Sequence, residues 1–345
     1  MGGRDMCPRT TRSIWITLLA AVLLLAGGCA SATSTESDRA PSVTDITSGP
    51  ADPSPANAES PVTAAGNGFI AFGSVDPARA TDGVPISASL VVLDRDGVRR
   101  VLATDLAYRT APSWSPDGRS LVFAGSGGLA VVTVGGDRRQ LTTCDPSICM
   151  GEGPPVWSPD AATIAFGAIR EEGEGLFTVP STGGEPRLLA PGLSVRGSPA
   201  WSPDGETIAV VDDGVQLVDA GTGRIEGRVP LDGRVSGGVA WSPDGTSLVL
   251  TARIGGVEGV YALAVDGTGL RLLSSCLDPG CSDLSPAWSP DGTRVVFVRG
   301  LCDLPGGDCF TGDLFVVRAD GGRVTPLLDA PSLDCCPAWQ PVPPP

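Results

Sequence analysis

Ten cysteines are the residues of this chain whose type and spacing could do chemistry. Thiols form disulfides in oxidising compartments, and thiolates bind metals or attack electrophiles. Eight cysteines, an even number, lie beyond residue 140: Cys144, Cys149, Cys276, Cys281, Cys302, Cys309, Cys335 and Cys336. We predict that these eight form disulfide bonds.

Spacing indicates how four of them pair. Cys144 and Cys149 close the segment CDPSIC, and Cys276 and Cys281 close the segment CLDPGC. The two segments share a spacing and a place in the chain, so each predicts a small loop closed by a local disulfide.

The remaining four cysteines allow three connectivities. Cys302 can pair with Cys309 beside a vicinal Cys335–Cys336 bridge, or the pairs can cross. A metal site formed by these four thiolates is the alternative interpretation.

Histidine is absent, and every one of the 24 basic residues is arginine. Without histidine there is no Ser-His-Asp or Cys-His nucleophile and no imidazole metal ligand. Without lysine there is no Schiff-base chemistry and no phosphate-loop lysine. A net charge of −15 argues against nucleic-acid binding. We predict that the protein is not an enzyme and that it has no catalytic residue, cofactor or bound metal.

The first 29 residues indicate export. Three arginines precede an apolar run over residues 14–26, which is too short for a bilayer span and typical of a signal-peptide core. The run ends in LAGGC, which resembles the lipobox of bacterial lipoproteins. This resemblance implies that residues 1–28 are a signal peptide and that Cys29 carries the lipid. An ordinary secretory signal and an uncleaved anchor are the alternatives.

Residues 29–67 have a different composition. Ser, Thr, Ala, Pro, Asp and Glu dominate, while Val and Ile are sparse, and no hydrophobic period appears. Such a segment buries too little apolar surface to offset its ordering entropy. We predict a disordered tether between the lipid and the rest of the chain.

The remainder of the chain is repetitive. The motif WSPDG or a close variant recurs six times, with tryptophans 40 to 51 residues apart: Trp114, Trp157, Trp201, Trp241, Trp288 and Trp339. Each Ser-Pro-Asp-Gly suits a type I turn, and three β-rich runs separated by glycine-containing turns follow it. No stretch carries a helical period. Four short strands in each repeat predict an all-β fold of propeller blades.

The two ends of this region complete one blade between them. Gly68–Phe72 begins as a second strand without a preceding tryptophan, and Trp339 ends a first strand that no second strand follows. Joining them removes an open sheet edge. We therefore predict a six-bladed β-propeller of four-stranded antiparallel blades over 68–341, closed by pairing of its N- and C-terminal strands.

The pattern WSPDG-x-x-IAF resembles the TolB-type propeller repeat, which also occurs in the propellers of prolyl oligopeptidase-like enzymes. The resemblance covers residues 68–341 and implies a six-bladed propeller. We expect neither the extra α/β domain of TolB nor the hydrolase domain of the peptidases here, because only the tether precedes the repeats and histidine is absent. The fold by itself does not define the function, because one propeller fold serves many functions.

The repeated residues have structural interpretations. We predict that the six tryptophans pack between neighbouring blades, the alternative being stacking platforms for sugars. The repeated aspartates are predicted to bond backbone amides inside their own turns. A calcium array is the alternative for this set: Asp117, Asp160, Asp204, Asp244 and Asp291.

Topology places all eight cysteines in the loops that emerge on one face of the propeller, and these loops are also the long and variable ones. Such loops on a rigid scaffold usually carry function. We predict a monomeric, lipid-anchored protein of the bacterial cell envelope that faces away from the cytoplasm and binds a protein or an envelope polymer. A ligand-capturing or sensing lipoprotein is one alternative. A metal-dependent lyase or hydrolase that uses the channel is another.

Overall fold

A computed structural model of the chain describes residues 68–75, 88–106, 111–125, 127–143, 153–276, 278, 281–301, 312–328 and 333–342. The predicted signal peptide, Cys29 and the tether lie outside the described residues. Cys144, Cys149, Cys302 and Cys309 lie outside them as well.

The described chain forms six four-stranded antiparallel blades, and no helix occurs among the described residues. In chain order, we call the strands of a blade innermost, second, third and outermost. The first three strands belong to blade 6: β1 (Ile70–Val75), β2 (Ala88–Leu93) and β3 (Arg99–Leu106). Blade 1 contains β4 (Ser113–Trp114), β5 (Ser120–Gly125), β6 (Gly128–Thr133) and β7 (Arg138–Gln140). Blade 2 contains β8 (Val156–Trp157), β9 (Thr163–Arg170), β10 (Gly173–Pro180) and β11 (Arg187–Pro191).

The other blades follow the same order. Blade 3 contains β12 (Ala200–Trp201), β13 (Thr207–Asp212), β14 (Gly214–Asp219) and β15 (Ile225–Arg228). Blade 4 contains β16 (Arg234–Trp241), β17 (Ser247–Ile254), β18 (Val257–Ala264) and β19 (Arg271–Ser274). Blade 5 contains β20 (Cys281–Trp288), β21 (Arg294–Leu301), β22 (Asp313–Arg318) and β23 (Thr325–Pro326). The innermost strand of blade 6 is β24 (Leu333–Trp339).

The predicted closure is confirmed. β24 pairs antiparallel with β1, with Trp339 opposite Ile70 and Cys335 opposite Gly73. Blade 6 therefore takes one strand from the C-terminal region and three from the N-terminal region. A single further pair, Leu106 opposite Gly125, joins its outermost strand to blade 1.

At this closure Gln340 follows the tryptophan, at the position where the WSPDG motif has serine. In blade 1 the Ser115 hydroxyl accepts the backbone N–H of Ser120. In blade 6 the Gln340 side-chain oxygen accepts the N–H of Phe69 at 3.0 Å, and its amide nitrogen donates to the carbonyl of Gly118 at 2.7 Å. The side chain thus bonds both to the residue that precedes β1 and to the turn of blade 1.

Innermost strands surround the propeller axis, because each of them contacts the innermost strands of both neighbouring blades. The second strands read as continuous apolar runs, such as Leu121–Phe123 and Ile164–Phe166, and their side chains are fully buried. Such runs are required because each blade packs against a neighbour on both of its faces.

Six apolar clusters fill the six spaces between blades, and each includes side chains from two adjacent blades and the tryptophan of the later one. These tryptophans are Trp114, Trp157, Trp201, Trp241, Trp288 and Trp339. Two indole N–H groups donate to the carbonyl that precedes the neighbouring tryptophan: Trp114 to Ala338 at 3.2 Å and Trp241 to Ala200 at 3.0 Å. The tryptophans therefore contribute to the packing between blades.

Candidate functional site

The propeller has two different faces. On the turn face, five-residue turns join innermost to second strands in blades 1 to 5, and the turns between third and outermost strands are also short. On the opposite loop face, connections range from one residue, Asp213, to the fifteen residues 141–155. Variation in length is thus concentrated on one face.

Cys276 and Cys281 form a disulfide on the loop face, with 5.6 Å between their Cα atoms. Cys276 follows the outermost strand of blade 4, and Cys281 is the first residue of β20. The bridge closes the short connection between blades 4 and 5. This bridge is the local disulfide that the spacing of the CLDPGC segment predicts.

Cys335 and Cys336 do not lie in a loop, so their predicted place was wrong. Both are buried inside β24, which extends six residues ahead of its tryptophan in order to pair with β1. The ladder shifts register beside them, and Cys336 adopts a left-handed conformation with φ of 58°. A strand longer than the repeat motif explains the difference.

Left-handed residues recur three or four positions ahead of the tryptophan in four blades: Gly197, Gly238, Ser285 and Cys336 have φ values of 73°, 57°, 52° and 58°. A Cβ atom on Gly197 would lie 3.1 Å from the backbone nitrogen of Gly238, and one on Gly238 would lie 3.1 Å from the Cα of Ser285. Neighbouring backbones therefore approach closely here, and glycine or a strained non-glycine residue is required.

Asp283 lies on β20, is completely buried, and forms an ion pair with Arg299 of β21. The guanidinium donates to both carboxylate oxygens at 2.7 Å, and the Ser274 hydroxyl donates to one of them at 2.5 Å. The guanidinium carbon also lies 5.0 Å from the centre of the Phe315 ring. Pairing with Asp283 raises the pKa of Arg299 above its usual value.

Asp334 occupies the corresponding position of β24 and is also completely buried. Arg99 donates to Asp334 at 3.2 Å and to the Ser74 hydroxyl at 2.9 Å, and it lies over the Phe72 ring. Both clusters thus contain an aspartate, an arginine, a serine and a phenylalanine. Neither cluster was predicted from the sequence, although both share the pattern D-x-x-P-A-W, at 283–288 and 334–339.

The repeated aspartates of the turn face close their own turns. In blade 3 the Asp204 carboxylate accepts the Ser202 hydroxyl at 2.5 Å and the Glu206 N–H at 3.0 Å. The same pair of bonds occurs in the other four turns, at Asp117, Asp160, Asp244 and Asp291. The residue after the aspartate is left-handed in each of these turns. It is glycine in four of them and Ala161, with φ of 61°, in blade 2.

These bonds make the stability of the propeller pH-dependent. The serine hydroxyl and then a backbone amide lower the pKa of Asp204 below 3.8, and the same applies to Asp117, Asp160 and Asp244. A lowered folded-state pKa stabilises the fold above the unfolded pKa, and this contribution is lost as pH falls through the folded value. We expect urea unfolding free energies to fall as pH drops below about 4, with a shallower fall in Asp204→Asn. Equal pH profiles for the two proteins would contradict this.

Apolar side chains are exposed at two hairpins of the loop face. Ile169 of blade 2 and Val257 of blade 4 are 43% and 44% exposed. Each stands beside a short connection between a second and a third strand. The structure therefore presents apolar contacts on the face that also carries the variable loops.

Among the residues that the structure describes, no cluster of three or more Cys, Asp or Glu side chains is arranged to hold a metal ion. In the same part of the chain, no helix has the length and apolar character to cross a bilayer.

Comparison with known proteins identifies the fold. TolB from Acinetobacter baumannii superposes with a TM-score of 0.63 at 21% identity, over 80% of this chain and 67% of that protein. A protein described as a TolB of Agrobacterium tumefaciens gives 0.57 at 24% identity, over 80% of this chain and all of that protein. The resemblance to the TolB-type propeller is thereby confirmed at the level of fold.

Sequence comparison adds a local similarity. No protein-family model matches the chain. An uncharacterized protein of Agrobacterium fabrum is 36% identical over 86 residues, which are 24% of this chain and 29% of that protein. The match spans less than a third of this relative's length.

Proposed function

We propose that this TolB-like propeller is a non-enzymatic binding module of the bacterial cell envelope, anchored by lipid on Cys29 and recognising a protein or an envelope polymer through its loop face. The observation that carries the proposal is the contrast between the faces. Turn-face connections are nearly uniform in length, whereas loop-face connections range from one residue to fifteen. Variable loops on a rigid scaffold are the usual location of recognition.

Buried ion pairs support the non-enzymatic part of the proposal. Asp283 and Asp334 lie toward the loop-face ends of the innermost strands β20 and β24, and both are completely buried beside an arginine and a serine. Asp283 bonds to the neighbouring strand β21 and to Ser274 of blade 4, and Asp334 bonds to Arg99 of its own blade, which are structural roles. A catalytic site in the channel would need carboxylates directed at a substrate.

Site-specific crosslinking in the native membrane tests the binding face. A photo-crosslinking amino acid is placed at Ile169 or Val257 in the full chain, and the matched control position is Val98, which is 59% exposed on the turn face of blade 6. We expect the same partner to be captured from both loop-face positions and not from Val98. Capture from Val98 alone would overturn the choice of face.

Two further measurements test the lipid anchor and the expected absence of a bound metal. Cys29→Ser is expected to release the protein from the membrane fraction, because the predicted anchor is its acyl chains. Elemental analysis of the purified protein is expected to find no stoichiometric metal. A bound metal would instead favour the metal-dependent lyase or hydrolase alternative.

A further inference from the structure

Arginine side chains link neighbouring blades on the turn face. In four blades, an arginine of the outermost strand donates to a carbonyl in the turn between the third and outermost strands of the next blade. The bonds join Arg100 to Val134 at 2.7 Å, Arg139 to Ser181 and Thr182 at 2.9 Å, Arg187 to Gly221 at 3.4 Å, and Arg271 to Ala319 at 2.6 Å. A guanidinium is therefore a recurrent component of the space between blades.

Blade 3 lacks this arginine. In the strand register, Arg187 lies opposite Thr178 in blade 2, and the corresponding position of blade 3 is Gly227 opposite Leu217. A Cβ atom built on Gly227 would meet no other atom within 4 Å. Blade 5 has Thr325 at this position, opposite Val316. Blade 3 thus has no arginine at this position, and the start of a side chain there would meet no obstacle.

An open groove of about 700 Å³ lies between blades 3 and 4 on the turn face. Its lining includes Trp241, Val265 and three aspartates, Asp204, Asp244 and Asp266. Val265 precedes Asp266 in its turn as Ala319 precedes Asp320, so its carbonyl corresponds to one that accepts an arginine elsewhere. Within the described chain, Asp320 has Arg318 as an ion-pair partner, whereas no arginine pairs with the three groove carboxylates.

We propose that this groove binds an arginine side chain of a partner protein, in place of the intramolecular arginine found at four other blade interfaces. A planar guanidinium can donate to the Val265 carbonyl and to a carboxylate, and it can stack on the Trp241 indole. The net charge of −15 favours the approach of a cationic partner. This site lies on the face opposite to the one proposed above and does not depend on that proposal.

A peptide titration of the full chain in detergent, at 150 mM salt, tests the groove. The probe is acetyl-Gly-Arg-Gly-amide, and its control carries citrulline, which has nearly the same shape without the charge. We expect the arginine peptide to shift the NMR signal of the Trp241 indole N–H, with at least tenfold weaker binding of the citrulline peptide. Equal binding of the two peptides would overturn the proposal.

Variants of the groove, each with a matched control, test the same proposal. Gly227→Arg is expected to supply a guanidinium to the Val265 carbonyl from within the chain, raise the unfolding temperature above that of Gly227→Ala, and abolish peptide binding, which Gly227→Ala retains. Asp266→Asn is expected to weaken binding several-fold. Asp219→Asn, which changes a turn aspartate outside the groove, is expected to leave it unchanged. Wild-type binding by Gly227→Arg or by Asp266→Asn would contradict the proposal.

Discussion

Replacing Trp114 by alanine is expected to lower the free energy of unfolding by about 3–5 kcal/mol. Trp114 is only 5% exposed and lies in the apolar cluster between blades 6 and 1, with Leu90 on one side and Leu121 on the other. Removing the indole leaves a cavity that two rigid sheets cannot collapse to fill. Urea unfolding followed by far-ultraviolet circular dichroism measures the loss.

The position of Trp114 makes this substitution informative. Its indole N–H donates to the Ala338 carbonyl of β24, the strand that closes the ring. Trp114→Phe retains most of the apolar contact and loses this hydrogen bond, so we expect a loss of about 1–2 kcal/mol. If Trp114→Ala cost no more than Trp114→Phe, packing between blades would not be the role of this residue.

Replacing Arg299 by methionine is the second large effect that we expect, at about 3–5 kcal/mol. Asp283 is completely buried, and Arg299 supplies two charge-assisted hydrogen bonds to it. Methionine retains much of the contact with Phe315 and leaves the carboxylate without its cation. The large loss arises from an uncompensated buried charge.

Two controls separate charge from packing. Arg253→Met breaks the ion pair of Arg253 with Glu258 at the surface and is expected to cost less than about 1 kcal/mol. The double variant Asp283→Leu with Arg299→Met removes both buried charges, so it should recover most of the stability. A double variant as unstable as Arg299→Met alone would show that the packing of Arg299 is what matters.

Local chemistry made much of the fold predictable. The turn at Asp204 depends on residues within five positions of one another, and the apolar run of each second strand follows its turn directly. Closure was predictable as well, because Phe72 belongs to a strand that has no innermost partner nearby in the sequence. The place of Cys336 was not predictable, since the length of β24 depends on its pairing with β1.

The candidate sites were less accessible to sequence reasoning. Asp283 and Arg299 are sixteen residues apart in the chain, and they meet because the register of β20 and β21 places them opposite each other. Gly227 stands where other blades have an arginine. This difference appears only when the outermost strands are aligned by their pairing with the third strands.

The eight cysteines and the missing histidine first suggested a disulfide framework and excluded a set of mechanisms. The sequence by itself determined the repeat, the all-β class, the six blades and their closure, because turns and apolar strands are encoded within a few residues. Only the tertiary structure decided which charged groups pair, where Cys335 and Cys336 lie and which space between blades is left open. Those properties depend on register between strands and on contact between blades, and neither is fixed by neighbouring residues in the chain.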